Sequence, residues 1–156
     1  MSELCGLNDD FLDMLRALAE AGAEFVVVGA HAMAVHGVPR ATGDLDVLVR
    51  PEPENAARVL RALRAFGAPV EQHEITEADL ATPGLVYQIG LPPRRIDLLT
   101  QVSGISFDEA WADRVVVPVT DLEVSFIGRQ ALIANKRALG RDKDLADLVV
   151  LEGQGE

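Results

Sequence analysis

A mixed α+β fold, one small mixed sheet flanked by helices, is what this sequence predicts, and three observations carry that expectation. Apolar runs at strand spacing and apolar repeats at helix spacing follow one another without the strict alternation of a doubly wound sheet. Two extended runs, 85–90 and 95–100, are separated only by Leu91-Pro92-Pro93-Arg94, short enough for an antiparallel hairpin. A chain of 156 residues buries about two-thirds of its unfolded surface, enough for one proper core, so 1–156 reads as a single domain.

The elements follow in order. Asn8 caps a helix carrying Phe11, Met14, Leu15 and Leu18 at helical spacing, with Gly22 near its end. Residues 25–28 form a first strand, Gly29 turns the chain, and 30–36 read as a short helix. A loop over 37–43 leads into a strand over 44–49. Residues 53–66 form an amphipathic helix, with Pro53 in its first turn and Val59, Leu60, Leu63 and Phe66 inward. The stretch 67–84 is irregular except for a short helix at 76–80. After the hairpin, 107–114 read as helix, and 115–119 and 124–127 as extended. Helices over 129–139 and 141–151, separated by Gly140, pack on the domain, and 152–156 read as a frayed tail.

Composition narrows the classes of partner. Twenty-five acidic residues against 14 basic ones give a formal charge of -11, which opposes the attraction that drives general duplex binding. The single cysteine, Cys5, excludes an intramolecular disulfide, suits a reducing cytoplasm and reads as a small apolar filler. There is no basic leader before an apolar run and no apolar stretch of about 18 residues, so the expectation is a cytoplasmic protein without a membrane span.

The chemistry concentrates in two segments. Val26-Val27-Val28-Gly29-Ala30-His31 places a glycine turn between a strand and a helix start, where backbone N–H groups make an anion site. Asp44-Leu45-Asp46-Val47 then places two carboxylates on one face of the next strand, roughly 7 Å apart at the usual strand rise. A third acid, Asp97, interrupts the apolar strand over 95–100. Three carboxylates in one small sheet repel by several kcal/mol at an effective dielectric of ~20, so a cation is needed. Hard oxygen donors favour Mg2+ or Mn2+, and paired carboxylates suit a two-metal site. The plainer alternative is that Asp44 caps the strand start, Asp46 faces solvent and Asp97 pairs with Arg94 or Arg95. His31 and His36, five apart, diverge by about 140° on a helix and do not form a metal pair. Trp111 and Tyr87 read as packing anchors.

These segments resemble the nucleotidyltransferase superfamily that includes DNA polymerase beta and the small bacterial minimal nucleotidyltransferases. That family joins an apolar strand, a small-residue turn, a gap of about a dozen residues, an acid–apolar–acid triplet and a later third acid. They fall here on Gly29-Ala30, Asp44-Leu45-Asp46 and Asp97. A closer resemblance is to abortive-infection (AbiEii-type) bacterial proteins, through Gly29-x-His31-Ala32-x-Ala34-x-His36-Gly37 and through Lys136, Lys143, Asp144 and Asp147. Ala30 stands where the family carries Gly or Ser; it keeps a backbone N–H for phosphate but offers no hydroxyl.

The resemblance implies a nucleotidyltransferase-like fold and an enzyme that moves a nucleoside monophosphate from a nucleoside triphosphate, such as ATP, to a hydroxyl acceptor with release of pyrophosphate. Asp44, Asp46 and Asp97 would hold Mg2+ (or Mn2+), and Asp97 would act on the acceptor hydroxyl of a protein, a small molecule or an RNA end. Gly29, Ala30 and His31 would lie at the nucleotide. Residues 129–143 hold five basic residues, Arg129, Lys136, Arg137, Arg141 and Lys143, against Asp142. Lys136 or Lys143, with Arg40 in the loop before the acids, would offset the phosphate charge; the alternative is that they are solvated helix charges, with Lys143 and Asp147 an ordinary i, i+4 pair. Two rival functions are a non-catalytic nucleotide-binding or toxin–antitoxin component with a cognate partner, and a glycosyltransferase using a sugar nucleotide's metal.

Overall fold

The computed structural model describes residues 7–38 and 43–154. Its elements run α1 (Asp9–Glu20), β1 (Phe25–Val28), α2 (Ala30–Val35), β2 (Leu45–Val49), α3 (Pro53–Phe66), α4 (Glu77–Leu80), β3 (Val86–Ile89), β4 (Ile96–Leu99), α5 (Phe107–Ala112), β5 (Val115–Val119), β6 (Leu122–Phe126), α6 (Arg129–Leu139) and α7 (Asp142–Gly153). The strands form one six-stranded mixed sheet in the order β3-β4-β2-β1-β6-β5. The expected mixed α+β class is therefore what is found. Cys5 and Arg40 lie outside the described residues. No helix among the described residues is long and apolar enough to cross a membrane.

Local signals account for most helix ends. The Asn8 side chain accepts the Phe11 N–H at 3.0 Å, and Phe11, Met14, Leu15 and Leu18 on the following turns are all buried. Pro53 sits in the first turn of α3, and Thr76 and Ser106 head α4 and α5 with reciprocal capping boxes. β1 is buried at all four positions, so both faces of the sheet centre are covered, and α1 packs on α3.

Several element ends differ from expectation by a residue or two, and three of the differences have a local cause. The strand over 44–49 begins at Leu45, leaving Asp44 just ahead of the ladder. β6 starts at Leu122 because β5 and β6 close a hairpin around Thr120 and Asp121, a turn that a search for apolar runs passes over. α7 continues through Gly153, where a frayed tail was expected: Arg129 donates to the Leu151 carbonyl, and Arg137 Nη2 holds Glu152 Oε2 at 2.5 Å.

A buried amide ties the β1–β2 pair to α3. Asn55 Oδ1 accepts the Glu24 N–H at 2.7 Å, while Nδ2 donates to the carbonyls of Glu24 and Arg50, each at 3.0 Å. Truncation would leave those backbone groups without partners in a dry site. Asn55→Ala is therefore expected to cost about 2–4 kcal/mol of stability, read by urea denaturation; a loss below about 0.5 kcal/mol would contradict this account.

Candidate active site

Strand pairing assembles the acids. β1 and β2 are antiparallel with Val28 opposite Asp46, and β2 and β4 are parallel with Asp46 opposite Asp97. Asp46 thus has the end of β1 on one side and Asp97 on the other, and Asp44 shares its face because side chains two apart on a strand point the same way. Gly29 adopts φ 75°, and a Cβ built there would fall onto the Asp46 carboxylate, 3.1 Å from its Cγ. The glycine lets the turn lie directly against the acid.

The electrostatics follow from that crowding. Burial first, and then the charges of Asp97 and Asp44, push the Asp46 carboxyl up to about 7. Asp97 is also raised, by burial and by Asp44, against the pull of Arg95. Asp46, opposite Asp97 in the β2–β4 register, therefore keeps its proton up to near neutral pH. Arg95 forms an ion pair with Asp44, and its Nε lies 3.3 Å from Asp97 Oδ1. The plainer alternative for Asp97, a pair with Arg95, is thus present, but Asp46 is not the solvent-facing edge residue of that alternative.

Among the described residues no three His, Cys, Asp or Glu side chains gather as a ready-made metal site, and the guanidinium of Arg95 lies against Asp44 and Asp97. Asp46 and Asp97 nevertheless fit a divalent cation. They are hard oxygen donors in direct register, Asp97 Oδ1 is buried without a hydrogen-bond partner, and the proton that Asp46 retains is what a cation would replace.

A pH prediction arises here. A carboxyl whose folded proton affinity is raised contributes stability below its unfolded pKa, near 4, that is lost as pH rises through about 7. The cation-free protein is expected to lose on the order of 2 kcal/mol between about pH 5 and about pH 8 through this group. Mg2+ or Mn2+ should then raise Tm more at the alkaline end, since the cation competes with the proton. Thermal melts across pH check both; a cation effect that grows toward acid would contradict the assignment.

Beside Asp46 opens a cleft of about 630 Å³, bounded by Gly29 on the strand side and by Gln101, Ser103, Asn135, Lys136 and Arg141 opposite. Asn135 Nδ2 donates to the Ser103 carbonyl at 2.8 Å, tying the 101–104 loop to α6. Lys136 lines this wall, and its ammonium lies 3.3 Å from Asp144 Oδ1 and 3.0 Å from Asp147 Oδ2, both buried. Arg141 Nε holds Asp144 at 2.6 Å, and that bond, with Lys136, keeps the Asp144 carboxyl down to about 2 despite burial. The alternative of an ordinary Lys143–Asp147 pair is not what forms: Asp147 faces inward to Lys136, and Lys143 is exposed. The Arg141 side chain, though bonded to Asp144, is half exposed, so it rather than Lys136 is the more accessible cation of this wall. Asp144 and Asp147, three apart and hence on one helix face, were the sequence signal for this network.

His31 is the clearest departure. Its ring is fully buried and stands edge-on to Phe11, centroids 5.6 Å apart, so its imidazole does not line the cleft; only the backbone of this residue lies at the turn. A six-residue helix packed against β1 and β2 turns this position into the core. His36 Nε2 lies 2.8 Å from the Ile127 carbonyl. The Tyr87 hydroxyl meets His73 Nδ1 at 2.8 Å, and Trp111 stacks on Phe107 beneath Arg114.

With this geometry in place, the chain is similar to known proteins in two ways. Residues 8–152 match the model of a family described as nucleotidyl transferase of unknown function (DUF2204). A crystal structure from Thermotoga maritima, described as a candidate nucleotidyltransferase, superposes with a TM-score of 0.57 at 14% identity, covering 95% of this chain and 96% of that one. At that identity the likeness speaks for the fold. No curated protein matches the sequence.

Proposed function

The chain belongs to the family of nucleotidyl transferases of unknown function, and from that premise we propose that it transfers a nucleoside monophosphate from a nucleoside triphosphate to a hydroxyl acceptor in a metal-dependent reaction. The observation that carries this reading is the register of Asp46 with Asp97 beside the Gly29 turn, which puts two acids and backbone N–H groups at the mouth of one cleft.

Asp46 and Asp97 would hold a divalent cation, with Asp44 alongside; the cation would neutralise phosphate oxygens and withdraw charge from the reacting phosphorus. The turn at Gly29 and Ala30 offers backbone N–H groups to a phosphate, and Arg141 offers a guanidinium across the cleft. The acceptor oxygen forms a bond to the α-phosphorus while the bond from that phosphorus to the oxygen bridging it to the β-phosphate breaks, and pyrophosphate leaves. Asp97, whose proton affinity burial raises, takes the acceptor's proton.

The test is pyrophosphate release from ATP, GTP, CTP and UTP with Mg2+ or Mn2+, followed by label transfer to protein, RNA-end and small-molecule hydroxyls. Release that needs the divalent cation supports the reading; binding and release both absent with every triphosphate would sink it.

A second reading is favoured by Arg95, which already compensates Asp44 and Asp97 without a metal. On that reading the protein binds a nucleotide without turnover, as a component of a toxin–antitoxin pair of the AbiEii type. Calorimetry separates the two, since tight binding with no pyrophosphate release fits only the second.

A further inference from the structure

Part of the cleft wall is neither acid, nor turn, nor phosphate cation. α6 turns Leu132, Asn135, Lys136 and Leu139 to the cleft, positions spaced as one helix face. Between this face and β4 the wall consists of the aliphatic Leu99 and Val102 and of the amides of Gln101 and Asn135. Apolar lining with a few placed polar groups is the usual make-up of a small-molecule pocket. No aromatic or histidine side chain lines the cleft among the described residues, so a flat ring held there is read at its edges rather than by stacking.

Asn135 is the fixed polar group of that wall. The residue is 9% exposed, and its Nδ2 donates to the Ser103 carbonyl at 2.8 Å, a partner that accepts only from the NH2 end and so sets the orientation of the amide. The loop that supplies this carbonyl is seated on α6. Gly104 has φ 82°, and a Cβ there would fall 2.4 Å from the Ala138 Cβ and 2.9 Å from the Ala134 carbonyl oxygen. Asn135 Oδ1 receives no donor among the described residues, yet it is not one of the buried polar atoms left without a partner. That oxygen therefore meets solvent, and the open space this residue lines is the cleft. Gln101 differs, because it is exposed and its amide can turn either end to a ligand.

We propose that Asn135 is a specificity-determining residue whose Oδ1 accepts from the exocyclic amine of adenine or cytosine, favouring those nucleoside triphosphates over their deaminated counterparts. The inference rests on the transferase reading of the cleft and gives it a substrate class. With the phosphates at the Gly29 turn and a cation at Asp46 and Asp97, the nucleoside extends along β4, whose chain from Asp97 to Gln101 covers at most about 13 Å. An amine at the base edge donates to Oδ1. A carbonyl in its place sets two acceptors against each other and displaces water from Oδ1 without replacing its hydrogen bond.

Calorimetric titration of the full chain with ATP, inosine triphosphate, CTP and UTP in Mg2+ tests it, with tripolyphosphate as a probe that lacks a base. ATP is expected to bind at least about tenfold more tightly than inosine triphosphate, and CTP at least about tenfold more tightly than UTP. In Asn135→Ala both ratios should fall to about one, while tripolyphosphate affinity stays within about twofold of the parent. A merely structural role for Asn135 would weaken every probe alike and leave the ratios standing, which overturns the proposal. A parent that binds all four without preference for the amine also overturns it and leaves the transferase reading in place. A parent that binds no triphosphate sinks that reading and the proposal with it.

Discussion

Replacing Asp46 with Asn is expected to abolish metal-dependent transfer while making the cation-free protein more stable above neutral pH. The two effects share one cause. Asp46 is buried beside Asp97 and near Asp44, and its carboxyl is pushed up to about 7, so its ionised form is held at a cost. An amide of the same shape removes the charge and with it the repulsion. Stability should therefore exceed the parent's by a margin that widens on the order of 2 kcal/mol between about pH 5 and about pH 8, and match the parent only below about pH 4, where the carboxyl is protonated in the unfolded chain as well. The same change removes one of the two donors in register at the cleft. Loss of groups that merely support a metal ligand costs about 10- to 100-fold, so loss of a ligand should cost at least about 100-fold in pyrophosphate release. Chemical denaturation and a pyrophosphate assay on one preparation read both. Undiminished transfer would remove Asp46 from the mechanism; reduced stability at alkaline pH would contradict the electrostatic account.

Gly29→Ala should impair both fold and site. The backbone at Gly29 is left-handed, φ 75°, a region costly for any side chain, and the added Cβ would land on the Asp46 carboxylate. Strain of this kind costs about 1–3 kcal/mol, and the carboxylate must move as well. The expected result is a stability loss of about 2 kcal/mol or more together with weakened Mn2+ binding by calorimetry. Gly67→Ala is the control: Gly67 is also left-handed at φ 97°, but a Cβ there meets nothing within 4 Å, so it should lose stability without changing Mn2+ affinity. Equal Mn2+ affinity in Gly29→Ala and the parent would show that the turn and the acid do not interact.

Local patterns made most elements legible. The Asn8 cap and the spacing of Phe11, Met14, Leu15 and Leu18 specify α1, and Pro53 with its apolar repeat specifies α3, because caps and periodicity act within a few residues. The short tie at Leu91–Arg94 likewise announced the β3–β4 hairpin. The β5–β6 hairpin was only partly visible, since β6 has two buried positions in five and lacks a continuous apolar run.

The site divides along the same line. The sequence by itself determined the fold class, the glycine turn after a buried strand, and two acids on one strand face, all consequences of short-range geometry. Only the tertiary structure decided that Asp97 lies in register with Asp46, that Arg95 reaches Asp44 and Asp97, that Lys136 is taken up by Asp144 and Asp147 while Arg141, also bonded to Asp144, stays half exposed, and that His31 turns into the core. Each of these depends on which strand pairs with which and on how far a charged side chain sits from solvent. Pairing across dozens of residues and burial are properties of the packed chain, set by the whole set of contacts rather than by the residues adjacent in sequence.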